Sequence, residues 1–298
     1  MATPIFRYSS SPPLLLSFFF YYILAANHDR AFQKTRNNSH VVSAMPMMSS
    51  AATKNAKQTT QRCALIFLHG LGDSPRGWSH LEDTLQDYHS SLAPTRVKYV
   101  FPGSPTIPIS INGGASMPGW FDLYDWPIGV GSKDDPTGLA RSVASIEEEV
   151  QKLGENDGIP PEKIVVGGFS QGGAVALLSC YYQQQQDENN ATKRYAGCVG
   201  LSAWLTLPEE FVAGADDDEK RKIPLFWGHG TYDDKVLFEQ QKFGIEKLTN
   251  EFGLDHKLVS SGQYPMGHQS CEQETRDFAD FLNDVFFGND DEDKKTEL

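Results

Sequence analysis

Residues 164–174 read Ile-Val-Val-Gly-Gly-Phe-Ser-Gln-Gly-Gly-Ala, and a change of character inside this stretch decides the fold. Ile164 to Val166 is an unbroken apolar run, the mark of a strand buried on both faces of a parallel sheet. Residues 174–182 have the spacing of a helix. Between them lies Gly168-Phe169-Ser170-Gln171-Gly172, which leaves room only for a tight turn from strand to helix. Such a turn is a nucleophile elbow: strained, with the serine hydroxyl projecting above the sheet edge and glycines where a side chain would strike the strand or the helix. A lone Gly-x-Ser-x-Gly arises by chance, so the strand before and the helix after are what give it meaning. The plainer alternative is a serine that only caps the helix.

The same alternation continues in both directions. Apolar, strand-like runs occupy 63–68, 97–101, 197–201, 223–227 and 258–260. Helix-period segments occupy 77–88, 137–153 and 238–252, and a closing one spans 271–287 with Phe278, Phe281, Leu282 and Val285 on one face. Strands and helices in this order imply a mostly parallel central sheet with helices on both faces. One folded domain is expected over 59–288. Polar insertions at 183–193 and 213–222 read as surface loops, and the acidic tail 289–298 as disordered.

A serine hydroxyl is a weak nucleophile at neutral pH and needs an adjacent base. Behind an elbow of this kind the partners follow in the chain order serine, acid, histidine. Two loops supply them. Gly228-His229-Gly230-Thr231-Tyr232-Asp233 follows the strand at 223–227, and Tyr264-Pro265-Met266-Gly267-His268 follows the strand at 258–260. Catalytic groups collect at the carboxyl ends of strands in open α/β sheets, so Asp233 is read as the acid and His268 as the base, with Asp234 the rival acid. Alone, each would be an ordinary turn or solvated residue; their order, each after its own strand, distinguishes them. Together these features read as an α/β-hydrolase fold bearing a serine hydrolase site. Oxyanion donors are expected from the backbone N–H of Gln171 and, in His69-Gly70-Leu71-Gly72-Asp73 after the first strand, from that of Leu71. The alternative for the latter is an ordinary glycine-rich turn. His69 is read as structural, and His229 and His256 show no convergent partner.

Composition narrows the remaining classes. The 298 residues are 39% hydrophobic and 22% charged, with a formal net charge of −13, which works against a nucleic-acid surface because phosphate neutralisation needs clustered Lys and Arg. Four cysteines without CxxC spacing read as free thiols rather than a metal site, and no metal or organic cofactor is implied. Residues 1–58 contain an apolar block at 14–26, too short to span a bilayer comfortably, with Arg7 before it and Ala25 and Ala26 after it. It is either a leader or an unstructured extension, and a start at Met45, Met47 or Met48 would remove it. The chain ends Lys295-Thr296-Glu297-Leu298, one substitution from a Lys-Asp-Glu-Leu retention signal. Leader and tail together would place the protein in the endoplasmic reticulum lumen; the absence of a disulfide framework favours the cytoplasm. Asn190-Ala191-Thr192 is a glycosylation acceptor that would report the difference.

Residues 104–125 are apolar yet rich in Gly and Pro, so neither a helix nor a central strand fits them. Ile107, Ile109, Met117, Trp120 and Phe121 either line a channel for an acyl chain or pack over the sheet.

At the level of whole motifs the chain resembles the acyl-protein thioesterases and the lysophospholipase-like carboxylesterases over about residues 60–288. The motifs are FLHGLGDSPRGW, FPGSPTIPISINGGASMPGWFDLYD, GFSQGGAVAL, HGTYDDKV and PMGHQ, in that order. The resemblance implies Ser170 as nucleophile, Asp233 rather than Asp234 as acid, His268 as base and Leu71 and Gln171 as oxyanion donors. It further implies hydrolysis of palmitoyl-type thioesters on cysteine, and of lysophospholipids or small carboxylic esters. The partners expected are S-acylated proteins or lysolipid substrates, with transient membrane-surface contact and a monomer or weak dimer. Lys235, where many relatives have an apolar residue or proline, and the two long insertions depart from the pattern.

Overall fold

A computed structural model describes residues 63–182, 194–211 and 219–295, all within the second of two units, Asn55–Leu298. The leader, the insertion at 183–193 with its glycosylation acceptor, most of the insertion at 213–222 and residues 296–298 lie outside the described residues.

In chain order the elements are β1 (Cys63–Leu68), α1 (Pro75–Trp78), α2 (Leu81–Tyr88), β2 (Val97–Val100), β3 (Thr106–Ile109), β4 (Ala115–Pro118) and α3 (Pro136–Asp157). They continue with β5 (Ile164–Phe169), α4 (Gln171–Tyr181), β6 (Gly197–Leu201), β7 (Leu225–Gly230), α5 (Glu239–Glu246), β8 (Val259–Tyr264) and α6 (Glu272–Lys295). Six strands form one sheet in the order β2-β1-β5-β6-β7-β8, and every neighbouring pair is parallel.

The unbroken apolar runs have a simple cause. Successive side chains of a strand point to opposite faces, and both faces here are covered. Ala64, Ile66 and Leu68 of β1 join one core with Ile146 and Val150 of α3 and Val175 and Leu178 of α4. Leu65 and Phe67 join the other with Leu85 of α2 and Phe278 and Leu282 of α6. α4 is buried on nearly all sides, which accounts for its lack of a polar face.

Where strand limits differ from the sequence reading, local chemistry explains it. Pro224 has no N–H to give a ladder, so the strand expected from 223 starts at Leu225. β8 is an edge strand with exposed Ser260, Ser261 and Gln263, so its polar half carries no hydrophobic signal. The helix expected over 238–252 is α5 followed by a π-helical turn at Lys247–Phe252, closed by Gly253 at φ 89°. The apolar Gly/Pro stretch contributes β3 and β4, an antiparallel ribbon apart from the main sheet in which Pro108 and Pro118 are tolerated. One expectation is corrected: the tail beginning at 289 continues α6 as far as Lys295, because adding turns to a helix already nucleated by packed residues costs little.

Candidate active site

β2 lies on one side of β1 and every later strand of the sheet on the other, so the direction in which strands are added across the sheet reverses between β1 and β5, although the strands stay parallel. Loops leaving two such strands diverge and open a crevice at their carboxyl ends. The loop after β1 starts at His69 and the elbow serine ends β5, with Leu68 in register with Gly168.

Ser170 sits at φ 54°, ψ −121°, a conformation that costs a non-glycine residue of the order of 1–3 kcal/mol and persists only where the surroundings enforce it. Its N–H donates to Leu201 O at 2.8 Å and its carbonyl accepts from Ala174 N at 3.0 Å. The glycines around it are steric necessities: a Cβ on Gly168 would strike the backbone of Gly172, and one on Gly172 the carbonyl of Leu68.

His268 approaches the serine from the loop after β8, with Nε2 2.9 Å from Ser170 Oγ. Its Nδ1 lies 2.7 Å from Asp233 Oδ2. The other carboxylate oxygen, Oδ1, accepts the backbone N–H groups of Lys235 and Val236, each at 2.9 Å. Burial works to raise the Asp233 pKa, but the hydrogen bond and charge of His268, with these two N–H groups, outweigh it and hold the carboxyl below its ordinary value. Asp234 points outward and pairs with Lys235 Nζ at 3.1 Å. The structure thus brings Ser170, His268 and Asp233 together and leaves Asp234 outside. With Nδ1–H held by a carboxylate, Nε2 presents a lone pair to the serine proton, and the buried negative charge stabilises the imidazolium that proton transfer would create.

His229, given no role by the sequence, is completely buried at the end of β7. Its Nε2 lies 2.9 Å from Val236 O and 3.5 Å from Asp233 Oδ2, and burial lowers its pKa, so it backs the carboxylate as a neutral ring. The one available signal was its place beside Asp233 in the same six-residue motif.

Gly70 lies against the elbow: a Cβ there would stand 3.4 Å from Ser170 Cβ. Among the described residues neither the N–H of Leu71 nor that of Gln171, at the first position of α4, donates to a protein acceptor. Both are available to an oxyanion: that of Gln171 is a helix N-terminal N–H, and that of Leu71 lies in the turn after β1. His69 is structural: Nδ1 is 2.8 Å from Gly70 O and Nε2 accepts Ser104 N at 3.2 Å. Among the described residues no group of three or more His, Cys, Asp or Glu is placed to hold a metal ion.

Three of the five residues read as channel lining need correction. Ile109, Trp120 and Phe121 are sealed in the core at 0%, 1% and 1% exposure, with no face left for a channel open to solvent. Trp120 is fixed by polar bonds that its apolar surroundings hid: its indole Nε1 donates to His69 O at 2.8 Å and its backbone N–H to Gln171 Oε1 at 2.9 Å. Ile107 and Met117 differ. They are paired across the ribbon and only partly buried, packing, as Leu71 does, against the core.

An elbow serine after β5, a histidine after β8 and a buried aspartate after β7 define a serine hydrolase of the α/β-hydrolase fold. Residues 49–286 match the Phospholipase/Carboxylesterase family, and the chain belongs to that family. Acyl-protein thioesterase 1 of Mycosarcoma maydis is 37% identical over 233 residues, 74% of this chain and 90% of that protein. The protein of the same name in Cryptococcus neoformans is 34% identical over 242 residues, 77% of this chain and 94% of its own. Among solved structures, acyl-protein thioesterase 2 of Zea mays superposes with a TM-score of 0.63 at 30% identity, covering 76% of this chain and 95% of that one.

Proposed function

We propose that this protein is an acyl-protein thioesterase that removes palmitoyl-type chains from cysteine, with Ser170 as nucleophile. The observation that carries the reading is the unbroken hydrogen-bonded line from Ser170 Oγ through His268 to Asp233. The substrate class is supported by the names of the relatives that the chain matches over most of their length. Ser170 Oγ attacks the acyl carbonyl as its proton passes to His268 Nε2, and the N–H groups of Leu71 and Gln171 bind the oxyanion. Collapse breaks the C–S bond, and the departing thiolate takes the proton from His268. Water then attacks the acyl-serine ester, losing a proton to His268; collapse breaks the bond from the acyl carbon to Ser170 Oγ, which takes that proton back from His268, and the fatty acid departs. Ile107 and Met117 are the remaining candidates to contact the acyl chain. The setting that fits is the cytoplasm, where a monomer or weak dimer meets S-acylated proteins at membrane surfaces.

Ser170→Ala is expected to abolish hydrolysis of a palmitoyl-cysteine peptide and labelling by a fluorophosphonate, with the thermal midpoint little changed. Activity above about a hundredth of native would overturn the assignment. The family's phospholipase/carboxylesterase description supports a second reading, an esterase acting on oxygen esters of lipids or small molecules. Relative kcat/KM on matched thioesters and esters decides between them.

A further inference from the structure

The elbow and the loop after β1 each supply one proposed oxyanion donor, and among the described residues no strand ladder holds the two loops to each other above the sheet. Besides the direct packing of Gly70 against Ser170, what joins them is a set of hydrogen bonds to the end of β4 and the segment after it. The Gln171 side chain, fully buried, makes two hydrogen bonds to it: Oε1 accepts Trp120 N at 2.9 Å and Nε2 donates to Phe121 O at 2.7 Å. Only this orientation of the amide satisfies both partners. From the same segment the Trp120 indole reaches His69 O at 2.8 Å, and Pro118 O accepts Gly72 N at 2.8 Å. Leu71 therefore lies between two residues tied to this segment, while the N–H of Gln171 belongs to the residue whose side chain grips it. The segment is itself anchored to α3, where Ser142 Oγ and Arg141 Nη2 donate to Trp120 O at 2.5 and 3.1 Å.

We propose that the Gln171 side-chain amide is a positioning group that fixes the spacing of the two oxyanion donors by clamping the Trp120-Phe121 backbone. It acts through those backbone N–H groups and touches no substrate atom. The inference rests on the proposed serine mechanism. Donors placed to sub-ångström tolerance act mainly on the transition state, so the clamp sets kcat rather than KM.

Gln171→Met keeps the length of the side chain and removes both bonds; with an acetyl thioester as probe, kcat should fall ten- to hundredfold while KM stays within about threefold. Gln171→Glu provides the second measurement. Its protonated carboxyl reproduces both bonds, an acceptor for Trp120 N and a donor for Phe121 O, whereas the ionised form loses the donor and repels the carbonyl. The variant's kcat should acquire a falling alkaline limb that the native enzyme lacks, a signature that simple loss of packing does not generate. A kcat within threefold of native for Gln171→Met, or a Gln171→Glu profile parallel to the native one, would overturn the proposal. If Gln171→Met does not fold, the Gln171→Glu profile decides alone. Ser170→Ala measured beside them separates the two levels: an active Ser170→Ala defeats the serine mechanism, whereas an inactive one with fully active Gln171 variants defeats the clamp only.

Discussion

The two sides of the crevice are built by different means. On the β7 and β8 side, Asp233 and His268 sit on short loops after their strands and meet through polar bonds that end at the serine. On the side of β1 and the β3–β4 ribbon, large apolar residues carry the architecture, and the backbone N–H groups proposed for chemistry are held in place from behind by Trp120, His69 and Gln171. The first side places reactive side chains. The second places main chain, and the side chains that hold it there, His69, Trp120 and Gln171, are buried.

Substitutions should divide accordingly. Asp233→Asn leaves the fold in place but holds His268 in the wrong tautomer, and kcat should drop by about 10⁴; Asp234→Asn should change it less than about twofold. Equal losses, measured by steady-state kinetics, would erase the assignment of Asp233. On the other side, Trp120→Ala should cost about 3–5 kcal/mol of stability in denaturant titration and lower activity equally on short and long acyl chains, because it empties core rather than channel. Met117→Ala should instead reduce kcat/KM on palmitoyl over acetyl substrates by about tenfold, from a few methylene contacts at about 0.8 kcal/mol each. A chain-length effect at Trp120 and none at Met117 would place Trp120 in the acyl channel and take Met117 out of it.

The smallest effect concerns Glu274 of α6, behind the His268 loop. Its carboxyl lies against Gly228 of β7, accepts Ser270 Oγ at 2.6 Å, and leaves Oε1 without a hydrogen-bond partner among the described residues. Burial, opposed by the Ser270 bond and helped by Asp277, raises its pKa from 4.5 to about 7. The folded state therefore holds this proton more tightly than the unfolded chain. The stability it contributes is complete below 4.5 and is lost as pH climbs through 7. Glu274→Gln abolishes the titration, and its stabilisation relative to native should be about 1 kcal/mol larger at pH 8.5 than at pH 6. Thermal midpoints at the two pH values measure this, and a pH-independent difference would contradict it.

How far the sequence could be read follows the same division. The elbow turn, the alternation of strands and helices and the meeting of Ser170, Asp233 and His268 were legible because each depends on local periodicity and on residue types that few other structures require: Gly168 and Gly172 around Ser170, Asp233 and His268 after their strands. The Gln171 side chain and Trp120 were not legible in their actual roles. A glutamine beside a nucleophile and a tryptophan in a Gly/Pro-rich loop both invite a surface or ligand-contact reading. Their hydrogen bonds cross 51 positions of sequence, and no pattern within a short window encodes such a contact. His229 escaped for a different reason: its partner Val236 O is near in sequence but is a backbone atom, which every residue type supplies, so no residue pattern marks it.

The four cysteines have a consequence for chemical selectivity. Cys63, Cys180 and Cys198 are buried and Cys271 partly so, all as free thiols, and burial pushes the Cys63 thiol up to about 12. Acyl transfer between thioesters and thiols proceeds through the thiolate, and a thiol of that pKa is ionised at about one part in 10⁵ at pH 7. An enzyme that opens cysteine thioesters would otherwise risk passing acyl groups to its own cysteines by exchange; with Cys63 and Cys198 set inside the sheet, these two thiols stand apart from the substrate pool.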